Sequence, residues 1–349
     1  MPRLRRADCS APGITRRKRG RGFEYLDVNG RPIKKTKEVA RIRDLVIPPA
    51  WTEVWVCPDP LGHLQAVGSD DAGRKQYLYH PAWRTRRDQE KFDHMLEFAK
   101  ALPAIRKTYR RHLRAKGLTK DRVLACAVRL LDIGFFRIGS EGYADQNQSY
   151  GLATMRRNHV TVRNGVITFD YKSKSGKRRV LSVGDPEVRD VVVRLKRRRS
   201  GRELLAYRSD GQWSDVKSAD INEYIKAITD QEVTAKDFRT WSATVLAAVG
   251  IATWGRAATS KTARKRAITR TIQDVAHYLG NTPAVCRSSY IDPRVFDRFR
   301  SGWMVDVEPI GDVEHIGQPA FHGAIEEAVI DLLEERTRSD GLEKAPKAA

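Results

Sequence analysis

The sequence predicts an α+β fold, with a small N-terminal antiparallel β-sheet domain and a mainly α-helical domain that contains a three-stranded β-meander. Before residue 80, short runs rich in β-branched and aromatic residues are separated by turn signals, a pattern typical of strands. From Pro81 onward, apolar residues recur at helical spacing instead. The 349 residues also exceed the size at which single cores usually stop growing, so about two domains are expected.

The first domain is placed at residues 23–85, behind a basic N-terminal arm. Residues 1–22 are rich in arginine and are expected to be flexible or loosely docked. The Asn29-Gly30 turn, together with Pro and Gly punctuation, favours antiparallel strands with a short helix near residues 37–46. The predicted strands are 23–26, 53–57, 64–67 and 75–79.

The second domain, residues 86–304, is predicted to be mainly helical. Val123, Ala127 and Leu130 lie on one stripe of a strong helix that Thr119 is expected to cap. Residues 159–183 interrupt the helices with two consecutive hairpins, which predict a meander with Lys174 at its second tip. The predicted helices are 84–101, 103–116, 121–134, 185–199, 217–230, 237–254 and 271–279.

Charge is distributed unevenly along the chain. There are 65 Lys and Arg residues against 43 Asp and Glu, a formal net charge of +22. Residues 305–349 form an acidic tail of net charge −7, so the remaining body carries +29. Several basic clusters, including residues 105–120, predict a polyanionic partner such as nucleic acid. The tail is expected to hold a helix from Glu326 to Arg336 that aids solubility or masks charge within the protein.

Several functional classes lack their sequence signals. No GxxxxGK(S/T) phosphate loop is present, which disfavours an ATP-driven motor. The eight histidines show no HExxH or paired ligand spacing, and the carboxylates at 59, 70 and 71 are typical of turns, so we expect neither a metal nor another cofactor. The four cysteines form no CxxC pair, which favours a reducing compartment.

Membrane insertion and secretion are not expected. The longest uncharged stretch, residues 241–255, is shorter than the roughly 18 to 20 apolar residues of a membrane span. The basic N-terminus is not followed by the apolar core of a secretory signal. We therefore expect a cytoplasmic protein.

Two arginines and one lysine are candidates for metal-free chemistry on an anion. Arg137 follows an apolar pair at the end of a strong helix, where a side chain that snorkels from the core edge is an equally good interpretation. Arg239 follows Asp237, a predicted N-cap, so its guanidinium and free helix N–H groups would face one anion. Lys174 at a hairpin tip is most often solvated, but a rigid tip can also enter a DNA groove.

A fourth candidate segment, residues 279–293, contains a tyrosine. Gly280 is expected to stop a helix, and Thr282-Pro283 to start a short one that carries Tyr290. A tyrosine there could equally be part of the core. Spacing alone does not bring Asn281 to Tyr290, because eight helical residues cover about 12 Å.

Taken together, these segments resemble the type IB DNA topoisomerases, particularly their compact bacterial and poxvirus-like branch. The resemblance covers residues from about 20 to 305, and its specificity lies in the order of the motifs. The matching elements are Gly22-Phe23 with Tyr25, Ile47 to Trp51, Gly73 to Tyr79 followed by His80-Pro81, Phe136 to Gly139, Tyr150 to Thr154, Lys174 to Lys177, Lys236 to Thr240, and Leu279 to Pro283 with Tyr290.

The resemblance implies a catalytic role for five residues. Tyr290 would be the nucleophile that forms a 3′-phosphotyrosyl bond and releases a 5′-hydroxyl. Arg137 and Arg239 would bind the nonbridging oxygens, and Lys174 would be the general acid for the leaving 5′-oxygen. Asn281 stands where His is common in the viral pattern, so it could donate a hydrogen bond to a phosphoryl oxygen but could not titrate.

The resemblance also implies the partner, the shape and a related fold. The family's catalytic fold is related to that of the tyrosine recombinases, and its members close around duplex DNA as a C-shaped clamp. Gln76, Tyr77, Tyr79 and Lys177 match DNA-binding segments, although Tyr77 and Tyr79 could equally pack one sheet face. We expect a bacterial, nucleoid-associated monomer that relaxes supercoils without ATP.

Two alternatives remain open from the sequence. A tyrosine site-specific recombinase would share the Arg, Lys and Tyr chemistry but would need a helical N-terminal domain, whereas residues 23–80 favour sheet. A noncatalytic architectural DNA-binding protein would be compatible with the charge alone. Relaxation of supercoiled plasmid together with a covalent protein–DNA adduct, in EDTA and without ATP, is the outcome expected of a topoisomerase.

Overall fold

The computed structural model describes residues 2–307 and 322–347. The chain divides into two compact units, Met1–Phe92 and Asp93–Ala349. The first is built on an antiparallel sheet and the second is mainly helical, so the predicted α+β class is confirmed. Part of the acidic tail, residues 308–321, lies outside the described residues. The predicted domain limit at 85/86 falls inside a helix and stays a prediction.

The first unit contains a five-stranded sheet in the order β2-β1-β3-β4-β5, with a helix that contributes to its core. Ile42 of that helix packs with Ile14, Val54, Val56 and Ala66 of the sheet. The elements are β1 (Ile14–Arg19), β2 (Gly22–Leu26), α1 (Thr36–Asp44), β3 (Thr52–Val56), β4 (Leu64–Ser69) and β5 (Lys75–Tyr79).

Strand β1 corrects the expectation of a flexible arm over residues 1–22. Thr15 pairs with Leu26 on one side and with Trp55 on the other, so β1 is an interior strand. Ile14 is buried, whereas most of the basic residues that follow it stay exposed. The strand was not predicted because backbone pairing, rather than apolar alternation, holds this arginine-rich segment in the sheet.

Helix α2 (Pro81–Leu113) is continuous, although two helices were predicted, the second beginning at Pro103. Proline inside a helix removes one hydrogen bond and costs about 3 kcal/mol. Phe98, Leu102, Ile105 and Tyr109 are all almost fully buried along this helix. Their burial offsets the cost, since each large apolar side chain contributes about 1.5–3 kcal/mol.

The second unit is built around two buried helices, α3 (Lys120–Gly134) and α7 (Ala235–Gly255), which pack against each other. Every residue of α3 from Arg122 to Gly134 is buried. Helix α7 also packs against α8, which begins at Lys261, ten residues before the predicted start. The other helices are α4 (Glu141–Asn147), α5 (Pro186–Lys196), α6 (Ser218–Thr229), α8 (Lys261–Leu279), α9 (Pro283–Ser289) and α10 (Arg294–Arg300).

The predicted meander is present as a sheet in the order β6-β7-β8. Phe169 and Tyr171 on the middle strand are buried, and their rings contact Phe136 with centroids 4.8 and 6.5 Å apart. A separate two-stranded hairpin, which was not predicted, follows α5. The strands of the meander are β6 (Val160–Arg163), β7 (Val166–Lys172) and β8 (Arg178–Val183), and those of the separate hairpin are β9 (Ala206–Ser209) and β10 (Gln212–Asp215).

The described part of the tail folds onto the second unit. Strands β11 (Trp303–Val305) and β12 (Leu342–Lys344) pair, and α11 (Ala324–Leu333) packs against α7 and α10. Glu326 on α11 is buried, with its carboxylate bonded to Arg106 and to the Trp241 indole at 2.7 Å. The tail's acids therefore include a buried partner for a buried cation.

Candidate active site

Arg137 leaves the core because of the way α3 ends. Gly134 has no room for a side chain, since a Cβ there would lie 2.2 Å from the Phe136 ring. Phe135 then adopts a left-handed conformation with φ 53°, which ends the helix. Phe136 enters the core, while the half-buried Arg137 donates to the carbonyl of Gly280 at 2.9 Å and to Asn281 Oδ1. Arg137 is thus held by specific polar partners and does not merely snorkel from the core edge.

Arg239 lies inside α7, not at its tip. The N-cap is Thr234, whose N–H and hydroxyl donate to Asp237 Oδ2 at 2.8 and 2.9 Å, so the prediction of Asp237 as N-cap was wrong by three residues. The Arg239 side chain is 3% exposed and donates to the carbonyls of Phe135 and Leu279, the latter at 3.0 Å. Helix α7 therefore presents this guanidinium to the end of α8.

Asn281 follows the predicted helix stop. Gly280 has φ 63° and closes α8 in the left-handed conformation that glycine favours. The Asn281 Oδ1 atom accepts from Arg137, and its buried Nδ2 has no hydrogen-bond partner at hydrogen-bonding geometry. The amide lies close enough to Cys286 to oppose the rise in that thiol's pKa, which burial causes. The amide is thus positioned beside Arg137, and among the described residues its donor interacts only weakly, with the Cys286 thiol.

Tyr290 ends the short helix α9, which Thr282 caps as predicted. Its backbone is fixed at both sides, because its N–H donates to the Cys286 carbonyl at 3.0 Å and its own carbonyl accepts from the Thr244 hydroxyl on α7 at 3.4 Å. The Arg239 guanidinium carbon lies 5.5 Å from the centre of the Tyr290 ring. The structure therefore brings Arg137, Arg239, Asn281 and Tyr290 into one cluster.

The cluster is cationic. Within residues 2–307 and 322–347, no ion pair joins Arg137, Arg179 or Arg239 to an Asp or Glu. Burial, and then the charge of Arg137, lower the pKa of Arg239 to about 10, against the opposing effect of Tyr290. The guanidinium still carries its charge at neutral pH, and its Nε has no partner. Such a cluster suits a phosphate group, which supplies the missing negative charge.

Arg179 is the site residue that the sequence analysis missed. It lies on β8 opposite Tyr171 of β7 and donates to the Tyr278 carbonyl. Strand alternation was the available signal, because Arg179 shares its face with Leu181 and the buried Val183. Its position within a basic run obscured that signal.

Lys174 belongs to the β6–β8 meander, whereas Arg137, Arg239 and Asn281 lie on or next to helices. It begins a 3-10 turn at the tip of the β7–β8 hairpin and is exposed, as is Lys177. The Ser173 N–H and hydroxyl both donate to the Lys177 carbonyl, at 2.8 and 3.0 Å, which closes the tip. Thus the tip is ordered, but no hydrogen bond or ion pair links the Lys174 ammonium to another described residue.

The predicted DNA-binding residues of the first unit lie on its edge strand β5. Tyr77 and Tyr79 are 45% and 39% exposed, and their rings stack with centroids 6.2 Å apart. They are therefore an exposed aromatic pair and not part of the core. Gln76 is on the opposite face, half-buried, with its Nε2 donating to Asp70 at 2.9 Å.

The described residues contain neither a metal-binding cluster nor a membrane-spanning helix. In residues 2–307 and 322–347, no group of three or more His, Cys, Asp or Glu could hold a metal ion. Asp70 accepts from the backbone of Ala72 and Arg74 in a turn. No helix in this part of the chain has both the length and the apolar character for crossing a membrane.

Comparison with known proteins gives a consistent result. The family model for the catalytic core of eukaryotic DNA topoisomerase I matches residues 80–300, and that for the N-terminal domain of bacterial DNA topoisomerase IB matches residues 22–70. DNA topoisomerase 1B of Acanthamoeba polyphaga mimivirus is 33% identical over 285 residues, 80% of this chain and 85% of that protein. DNA topoisomerase 1B of vaccinia virus (strain Copenhagen) is 20% identical over 277 residues, 79% and 83% of the two chains.

A solved structure of the XerH site-specific recombinase, bound to a palindromic difH substrate in a post-cleavage complex, was also matched. Its TM-score is 0.34 and its sequence identity 14%, over 67% of this chain and 58% of that one. A similarity this low supports no conclusion about the fold or function of this chain.

Proposed function

Since the chain belongs to the type IB DNA topoisomerases, we propose that it relaxes supercoiled duplex DNA through a covalent intermediate on Tyr290. The observation that carries the assignment of residues is the cluster around Tyr290, where Arg137, Arg239 and Asn281 meet and, within the described residues, neither arginine has a carboxylate partner. A DNA phosphodiester is an anion that such donors can bind.

In the proposed reaction, the Tyr290 hydroxyl oxygen attacks the phosphorus and the bond from phosphorus to the 5′-oxygen breaks. The phenolic proton passes to solvent, and the Lys174 ammonium gives a proton to the departing 5′-oxygen. The products are a 3′-phosphotyrosyl ester and a free 5′-hydroxyl. Rotation of the free end relaxes torsion of either sign, and the reverse transfer reseals the strand.

Arg137, Arg239 and Asn281 would stabilise the transition state. Negative charge builds up on the nonbridging oxygens, and donors already fixed in place stabilise it without further reorganisation. Removing one such donor typically slows a reaction by about 10²–10³-fold. The Nδ2 of Asn281 and the Nε of Arg239 support this role, because both are buried donors without a partner at hydrogen-bonding geometry among the described residues.

Independence of ATP and metal is part of the proposal. The phosphotyrosyl ester conserves the energy of the phosphodiester, so resealing needs no external energy source. We further propose that the protein acts as a monomer that closes around DNA as a C-shaped clamp, with Gln76, Tyr77, Tyr79 and Lys177 contacting the duplex. Its site of action would be the nucleoid in a bacterial cytoplasm.

The test uses negatively supercoiled plasmid with EDTA and without ATP. We expect relaxation and a covalent protein–DNA adduct, both absent in Tyr290→Phe. Tyr143→Phe is the matched control, because this exposed tyrosine on α4 lies outside the cluster. Relaxation that needs added metal, or that survives Tyr290→Phe, would exclude the mechanism. The recombinase alternative is disfavoured, since the first unit is a sheet and not a helical domain.

A further inference from the structure

Three successive residues at the C-terminal end of α8, here called the α8 turn, each accept a hydrogen bond from a different arginine through the backbone carbonyl. Arg179 donates to Tyr278, Arg239 to Leu279 and Arg137 to Gly280. A helix C-terminus carries partial negative charge, so cations are favoured there. Two of these arginines belong to the proposed catalytic set. The third, Arg179, has no assigned role.

Arg179 connects the hairpin that carries Lys174 to this turn. Its guanidinium packs directly on Gly280, where an added Cβ would lie 2.5 Å from Arg179 Nη1. It also lies opposite Tyr171, its cross-strand neighbour on β7, and the two side chains interact. Burial and the nearby Arg137 lower the pKa of Arg179, while Tyr171 opposes them. One side chain thus joins β7, β8 and the residue that precedes Asn281.

The hairpin between this connection and Lys174 is rigid. Tyr171 pairs with Arg179 and Lys172 with Arg178, and the Ser173–Lys177 bonds close the tip directly beyond them. The contact of Arg179 with the end of α8 therefore contributes to the direction of the tip. The meander has a separate anchor, because Phe169 and Tyr171 pack on Phe136, so its fold does not depend on Arg179 alone.

We propose that Arg179 is a positioning residue, which docks the hairpin on the α8 turn so that Lys174 reaches the leaving 5′-oxygen. The inference rests on the proposed role of Lys174 as general acid. Without Arg179, the phosphate would still meet Arg137, Arg239 and Asn281, but proton delivery would be impaired. The defect should therefore depend on the leaving group.

The experiment measures single-turnover cleavage at saturating enzyme, which removes differences in DNA affinity. One DNA substrate has the normal 5′-oxygen at the scissile bond, and the other has sulfur in its place. A thiolate leaves without protonation, so it needs no general acid. Arg179→Ala should cleave the oxygen substrate about 10²-fold more slowly than wild type, within the range of general-acid effects, but the sulfur substrate within about fivefold of wild type.

Three variants serve as references. Lys174→Ala should be rescued by sulfur, whereas Arg239→Ala should be slow on both substrates. Arg178→Ala is the matched control, because the neighbouring Arg178 pairs with Asp170 on the exposed face at 2.6 Å. It should cleave both substrates like wild type. Arg179→Met keeps the aliphatic stem if the alanine variant fails to fold.

The outcomes separate the two proposals. If sulfur rescues Lys174→Ala but not the Arg179 variants, or if these show no defect on oxygen, the positioning role is overturned and the mechanism stands. If sulfur fails to rescue Lys174→Ala, the general-acid role of Lys174 itself fails. Rescue of both, with Arg239→Ala slow throughout, supports the inference.

Discussion

Replacing Asn281 by aspartate tests the site more sharply than removing the side chain. Aspartate has nearly the same shape and can still accept a hydrogen bond from Arg137, as Oδ1 does now. Aspartate replaces the Nδ2 donor with an oxygen and adds a negative charge. If Asn281 serves by donating to a phosphoryl oxygen, the isosteric variant should be worse than alanine.

The expected sizes follow from two separate effects. Loss of one donor to the developing charge costs about 10²–10³-fold in rate, and Asn281→Ala should show this. A negative charge about 4 Å from the phosphoryl oxygens costs up to about 4 kcal/mol at an effective dielectric constant near 20. Arg137 offsets part of that cost. We therefore expect Asn281→Asp to be at least about tenfold slower than Asn281→Ala.

The assay is single-turnover cleavage of a short DNA duplex in EDTA, with covalent adduct as the product. Asn222→Asp is the control for the exchange itself, since Asn222 accepts from the Ala235 N–H at 3.1 Å, outside the site, and an aspartate can do the same. It should cleave at the wild-type rate. An Asn281→Asp enzyme as fast as Asn281→Ala would refute the donor role.

Three further predictions concern stability and DNA binding. Glu326→Ala should lower the free energy of unfolding by about 3 kcal/mol, because it breaks a buried ion pair, while the exposed Glu327→Ala should have little effect in urea unfolding. Burial alone would raise the pKa of Asp132, but Arg106 and Tyr109 lower it to about 2. Stability from this depressed pKa is present above about pH 4 and is lost toward pH 2, about 2 kcal/mol in all, and Asp132→Asn should show no such loss in acid unfolding. Neutralising the exposed Lys107, Arg111 and Lys116 should lower the salt slope of DNA binding by about 2 to 3 in filter binding, if each contacts a phosphate, without changing cleavage at saturation.

Sequence patterns located the elements whose side chains alternate or repeat regularly. The meander and α3 were predicted because apolar residues occupy one face of each. Strand β1 and the continuous α2 were not, because pairing on both sides and burial around Pro103 are tertiary effects. Within the 105–120 cluster, Arg106 is buried in ion pairs with Asp132 and Glu326, which a count of charges cannot show.

The candidate site was only partly accessible from local pattern. Spacing gave the end of α8 at Gly280 and the start of α9 at Thr282. It could not bring Arg239 to Leu279 or Arg137 to Gly280, because those contacts join residues 40 and 143 positions apart. The family resemblance named Arg137, Arg239, Asn281 and Tyr290, whereas Arg179 lies in no quoted motif and emerged only from its contacts.

The pairing of Arg106 with Glu326 also affects how the protein is made. The two residues are 220 positions apart, so a ribosome adding about 5–20 residues per second needs roughly 10–45 s to travel from one to the other. During that interval Arg106 has only Asp132, 26 positions away, as a partner among its carboxylate contacts described here. The ionic core of the second unit is therefore completed late in synthesis, after the residues of the Tyr290 cluster have been translated.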